Sequence, residues 1–174
     1  MKRPRFTQAD GERASDAWGA NCGPGAIAAI LHLTLDEVRP YMGDFEDKRY
    51  TNPTLMFETL TRLRAAGICR SWRIGPKIWP AYGLVRIQWE GPWTEPGVPM
   101  RVRYRHTHWV GAAQVNDRIG VFDINAMSNG SGWCRVEDWR DTLVPWIIKE
   151  CVPRGNGKWH ITHAIEMTLA EGER

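Results

Sequence analysis

The chain has 174 residues, 43% hydrophobic and 25% charged with a net charge of +3, a balance that excludes a disordered or fibrous protein and predicts one globular domain over residues 1–174. The basic cluster Lys2, Arg3 and Arg5 is too short for a nucleic-acid surface, and no basic helix follows it. No run approaches the roughly 20 apolar residues of a membrane span, and the polar TQADGERASDA after the basic start is no signal-peptide core, so the expected setting is a cytosol, without nucleic-acid or membrane partners.

Residues 1–17 read as an extended lead-in. Asn21 is then a good N-cap, Pro24 suits a first turn and GAIAAILHL supplies an apolar face, which predicts a helix over 22–32. Thr34 with Glu37 makes a capping-box pattern and Leu33 with Val38 a hydrophobic staple for a second helix, which Pro40 cuts short. A third begins at Thr51 or Asn52 with Pro53 behind it, carries Leu55, Leu60 and Leu63 on one face and stops at Gly67.

From Ile68 the apolar period changes. CRSWRI, GLVRIQWE, MRVRYRH, HWVGAAQV, RIGVFDI and HAIEMTL are short runs rich in β-branched and aromatic residues, divided by Gly, Pro, Asn and Asp, and each reads as a strand. VNDRI is a tight hairpin turn between the fourth and fifth. RVEDWRDTLVPWIIKE reads as a short helix interrupted near Pro145. Helices first and strands after give an α+β fold, N-terminal helices packed on a mostly antiparallel sheet.

The four cysteines, Cys22, Cys69, Cys134 and Cys151, show no CxxC spacing, so neither a zinc knuckle nor a redox pair is written here. In a cytosol they stay thiols, and the last three read as buried ones. Cys22 differs because it falls at a helix start. There the unpaired backbone N–H groups and the helix dipole favour a thiolate, while Gly23 leaves room beside the sulfur for a substrate carbonyl. Such a nucleophile requires an imidazole and a group to orient it.

His32 lies three turns along the same helix and cannot face the sulfur. His106 falls at an exposed strand end, and His160 and His163, three apart on a strand, project to opposite faces, so no metal or other cofactor is expected. His108 opens the apolar run HWVGAAQV, and Asp123 closes the next strand. Counting inward from the Asn116–Asp117 turn pairs 108 with 125 and 110 with 123. Imidazole and carboxylate then share one end of a hairpin, within reach of a hydrogen bond that fixes the ring's tautomer. The ten tryptophans serve chiefly as packing, with Trp109 a candidate for the cleft wall beside Gly23.

NCGPGAIAAIL at Cys22, HWVGAAQV at His108 and VFDIN at Asp123 together resemble the papain-like cysteine peptidases, closest to the bacteriocin-processing (double-glycine leader) group. The resemblance covers Trp18 to Asn125 in order and spacing. It implies a papain-like fold and a bacterial or phage thiol hydrolase with a Cys22–His108–Asp123 triad, acting on a peptide or protein substrate without a cofactor. In that group a glutamine six residues before the cysteine donates to the oxyanion. Here the position is Asp16, whose carboxylate would repel that charge. The backbone N–H of Cys22 remains available, the Trp18 indole N–H is a further candidate donor, and Asn21 and Gln114 are weaker ones. The departure keeps two alternatives open, an inactive scaffold that binds or inhibits a partner and an acyltransferase with the same triad.

Overall fold

The computed structural model describes residues 2–19 and 21–168. Chain order opens with helices α1 (Gln8–Trp18), α2 (Cys22–Leu31), α3 (Leu35–Val38), α4 (Phe45–Lys48) and α5 (Pro53–Ala65). Strands β1 (Ser71–Gly75) and β2 (Tyr82–Trp89) follow, then α6 (Met100–Arg103), β3 (Thr107–Val115), β4 (Arg118–Phe122) and β5 (Trp133–Arg135). Two more helices, α7 (Val136–Asp138) and α8 (Val144–Cys151), precede the strand β6 (Trp159–Thr168). The six strands form one sheet in the order β1-β6-β2-β3-β4-β5, every neighbouring pair antiparallel.

Strand alternation gives this sheet two apolar faces. Leu84, Trp109, Phe122 and Ile165 pack against α1, α2, α3 and α5 on one side. Val85, Ile87, Val110, Ala112 and Val121 meet Trp139, Val144, Ile147 and Ile148 on the other. The chain is therefore α+β, a sheet between two helical layers.

Most helix signals act as their chemistry dictates. Thr34 and Glu37 close the capping box of α3. Asn52 Oδ1 accepts from Leu55 N–H at 2.8 Å to start α5, with Leu55, Leu60 and Leu63 buried. In the hairpin between β3 and β4, Asn116 and Asp117 both take positive φ, 49° and 60°, and Val115 pairs with Arg118.

Three expectations are corrected. The lead-in is a helix: Thr7 and Asp10 make a capping box at the start of α1, and Gly11, Ala14 and Trp18, spaced three and four apart, form its buried face. MRVRYRH is no strand, because α6 occupies Met100–Arg103 and β3 begins only at Thr107. The short β5 pairs with β4 without any sequence run having marked it. RVEDWRDTLVPWIIKE does form a helical run broken near Pro145: Trp139–Leu143 are π-helical and α8 resumes at Val144, just before the proline.

Candidate functional site

The site forms where β4 ends. In a hairpin with a two-residue turn, hydrogen-bonded pairs alternate outward from Val115–Arg118. The N–H of Trp109, six residues before Val115, therefore points toward β4. The β3–β4 ladder stops at Gly111↔Phe122, and from Ile124 the chain turns into a 3₁₀ segment, Ile124–Asn129. That N–H finds the sulfur of Cys22 as its partner.

Cys22 opens α2. Asn21 stands at the cap position, but its side chain does not cap; Nδ2 donates instead to Gly11 O at 2.8 Å and ties α2 to α1. Pro24 has no N–H, and those of Cys22 and Gly23 carry no bond among the described residues. The first turn thus presents uncompensated positive dipole at a half-buried thiol.

His108, almost fully buried at 7% exposure, projects from β3 to the face of Val110 and Ala112. Its Nε2 lies 2.9 Å from Asp123 Oδ1, which leaves Nδ1 for the sulfur, and Trp89 stacks on the ring at 6.0 Å. Asp123 is wholly buried and meets only donors. Oδ1 also accepts from Asn125 N–H at 2.9 Å and Asn125 Nδ2 at 3.1 Å, and Oδ2 accepts from the Trp139 indole at 2.9 Å. Trp139, the first residue of the π-helical stretch, is itself enclosed by Trp79, Trp89 and Trp159 at 5.1–6.3 Å.

The electrostatics follow from this arrangement. Burial pushes the Cys22 thiol up, but its hydrogen bond with His108, the imidazolium charge and the Trp109 N–H outweigh it and hold the pKa below the ordinary thiol range. Burial pulls His108 down, yet the Asp123 charge and hydrogen bond, with help from Cys22, raise it well above an ordinary histidine. Asp123 is held low because His108, Trp139 and Asn125 overcome its desolvation. All three shifts favour one state, thiolate, imidazolium and carboxylate together. Cys134 is the contrast: burial, with Asp123 and Asp138 nearby, pushes it up to about 12. Of the three cysteines expected to be buried, Cys69 is, Cys134 is half-buried and Cys151 is exposed.

The structure therefore brings Cys22, His108 and Asp123 together but sends the other candidates elsewhere. Asp16 is exposed on α1, and Gln114 is exposed on β3. Trp18 spends its ring on the core, edge-on to Phe45 at 5.8 Å. Neither proposed cleft wall is one. A Cβ on Gly23 would overlap the Thr51 hydroxyl and lie 2.7 Å from Thr51 Cβ, so the glycine serves close helix packing. Trp109 is 2% exposed, and its indole donates to Thr51 O at 2.8 Å.

Sequence reasoning missed the Trp109 main-chain donor and the Trp139 and Asn125 contacts to the acid. The hairpin count contained the first, whereas the others needed the path of the chain after Asp123. His106 is half-buried beside Trp93, 4.4 Å between ring centroids, and His160 pairs with Glu90 at 2.8 Å. Among the described residues there is no cluster of metal-ligating side chains, and no helix is long and apolar enough to cross a membrane. No protein-family model, curated protein or solved structure matches the chain.

Proposed function

We propose that the protein is a thiol-dependent acyl hydrolase that cleaves a peptide, isopeptide or other amide bond. The Cys22–His108–Asp123 constellation, with the sulfur at a helix start and the imidazole held 2.9 Å from a fully buried carboxylate, carries this reading. In it the Cys22 thiolate attacks the carbonyl carbon, and the oxyanion faces the free N–H groups of the first turn of α2. His108 gives its proton to the leaving amine as the C–N bond breaks. Neutral His108 then takes a proton from water, whose oxygen attacks the thioester; the acid departs and the Cys22–His108 ion pair is restored.

The test is alkylation by iodoacetamide at pH 6, with the modified residue mapped by mass spectrometry. Cys22 is expected to react faster than the exposed Cys151, and a cysteine-hydrolase activity probe should label the wild type but not Cys22→Ala. An inert Cys22, or Cys151 reacting first, overturns the reading.

One observation favours a binding protein on the same scaffold. Of the side chains considered as oxyanion donors, Asn21 is committed to Gly11 and Asp16 faces solvent. Under that reading Cys22 alkylates but no acyl-enzyme forms with any probe that must acylate it.

A further inference from the structure

Arg86 on β2 is a buried cation, 5% exposed, with no carboxylate beside it among the described residues. Its Nη2 donates to Thr107 Oγ1 at 3.1 Å and its Nη1 reaches Thr162 Oγ1 at 3.5 Å, while its buried Nε has no partner. A buried guanidinium served by two hydroxyls gives up much of its solvation, and the Cys22 thiolate acts on it only through its charge, without a hydrogen bond among the described residues. An orphaned donor adds to that cost. Such an arrangement is coherent once an anion completes it.

Its position says which anion. Arg86 pairs with Trp109 across the β2–β3 ladder, and the two side chains share the face on which α2 lies. Trp109 is the residue whose N–H holds the Cys22 sulfur. The ionisable groups that act on the guanidinium, against the burial that depresses it, are Tyr104 and Cys22. The Tyr104 ring lies over it, 5.5 Å from Cζ to centroid, and is itself 46% exposed. A cation near the reacting sulfur is thus covered by one half-exposed ring, and a carboxylate offers it a forked, charge-assisted pair in place of a weaker cation–π contact.

We propose that Arg86 anchors a carboxylate carried by the substrate beside the bond that Cys22 attacks, with Tyr104 as the cover that yields to it. The proposal rests on the hydrolase reading and narrows it to acidic substrates, whose carboxylate is either a side chain or a C-terminus.

Two alkylating reagents that differ in charge test it. Iodoacetate carries the carboxylate and iodoacetamide does not; in both the thiolate forms the S–C bond and iodide leaves. The wild-type ratio of iodoacetate to iodoacetamide rate at Cys22 should exceed that of Arg86→Gln by about tenfold, the scale of one charge-assisted bond, with Arg86→Lys between them. Tyr104→Ala should speed iodoacetate alone. N-acetylglutamate α-amide and N-acetylglycine, each with a single carboxylate, are added as protectants: protection by the first assigns a side-chain carboxylate, by the second a C-terminus. Equal ratios in wild type and Arg86→Gln, or equal slowing of both reagents, overturn the proposal, since Arg86 then acts only on the thiol or the fold. Should Arg86→Gln not fold, the wild-type protection and the Tyr104→Ala rates decide, and absence of both effects overturns it. A Cys22 that iodoacetamide cannot modify refutes the hydrolase reading instead.

Discussion

Asp123→Asn isolates the charge at the centre of the site, because four donors converge on that carboxylate and none of its neighbours accepts. An amide cannot satisfy them. With its oxygen toward His108 and Asn125, its NH₂ confronts the Trp139 N–H; flipped, the NH₂ confronts the other three. The best orientation weakens three charge-assisted bonds by about 1 kcal/mol each and leaves one donor facing another at about 1–3 kcal/mol. Burying an amide costs less than burying a carboxylate and returns part of this, so the net loss is about 2–4 kcal/mol. For a chain of this size the melting temperature should fall by roughly 5–15 °C. The sign of the pH dependence is fixed. The folded-state pKa of Asp123 lies below its unfolded value of about 3.9, so its stabilisation is full above that value and is lost as pH falls through the folded pKa. The gap between wild type and Asp123→Asn is therefore widest near neutrality and narrows below about pH 4. Calorimetry across pH measures it. In the same variant the imidazolium loses its anion, so the midpoint of the iodoacetamide pH–rate curve moves to higher pH. A variant as stable as wild type near neutrality, with an unmoved alkylation curve, refutes the reasoning.

Trp139→Phe keeps a ring in the tryptophan cluster but removes the donor to Asp123 Oδ2, at a cost of about 1.5–3 kcal/mol; alkylation of Cys22 should move to higher pH in the same sense as for Asp123→Asn, which a purely structural ring would not cause. Gly23→Ala forces a methyl into Thr51 and should cost about 1–3 kcal/mol, read as a lower denaturant midpoint with unchanged slope. Thr7→Ala opens the capping box of α1 and should cost about 1 kcal/mol in thermal unfolding while leaving the Cys22 alkylation rate as it is.

Local chemistry made much of this architecture legible. The capping residues of α3 and α5, the Asn116–Asp117 turn and the resulting register needed only nearby sequence, and they placed His108 beside Asp123. Failures came where tertiary packing decided. Helix α1 buries only a narrow stripe, Gly11, Ala14 and Trp18, among polar residues, so its apolar signal is faint. MRVRYRH alternates like a strand, yet β2 already has β3 and β6 on its two edges. Gly23 and Trp109 looked like cleft residues because they adjoin the reactive pair in sequence, whereas alternation along β3 sends Trp109 to the opposite face from His108. Trp139 carried no mark at all. Its role depends on a π-helical stretch that re-aims one indole, a feature without a sequence signature.

The place of β6 also bears on when the thiol gains its partners. That strand comes last in sequence among the described strands, yet it lies between β1 and β2, and its first residue, Trp159, walls in the tryptophan that grips Asp123. Vectorial synthesis thus delivers Cys22, His108 and Asp123 well before the support that orients the acid. A nascent polypeptide halted short of residue 159 holds every reactive group and lacks the frame that makes them one device.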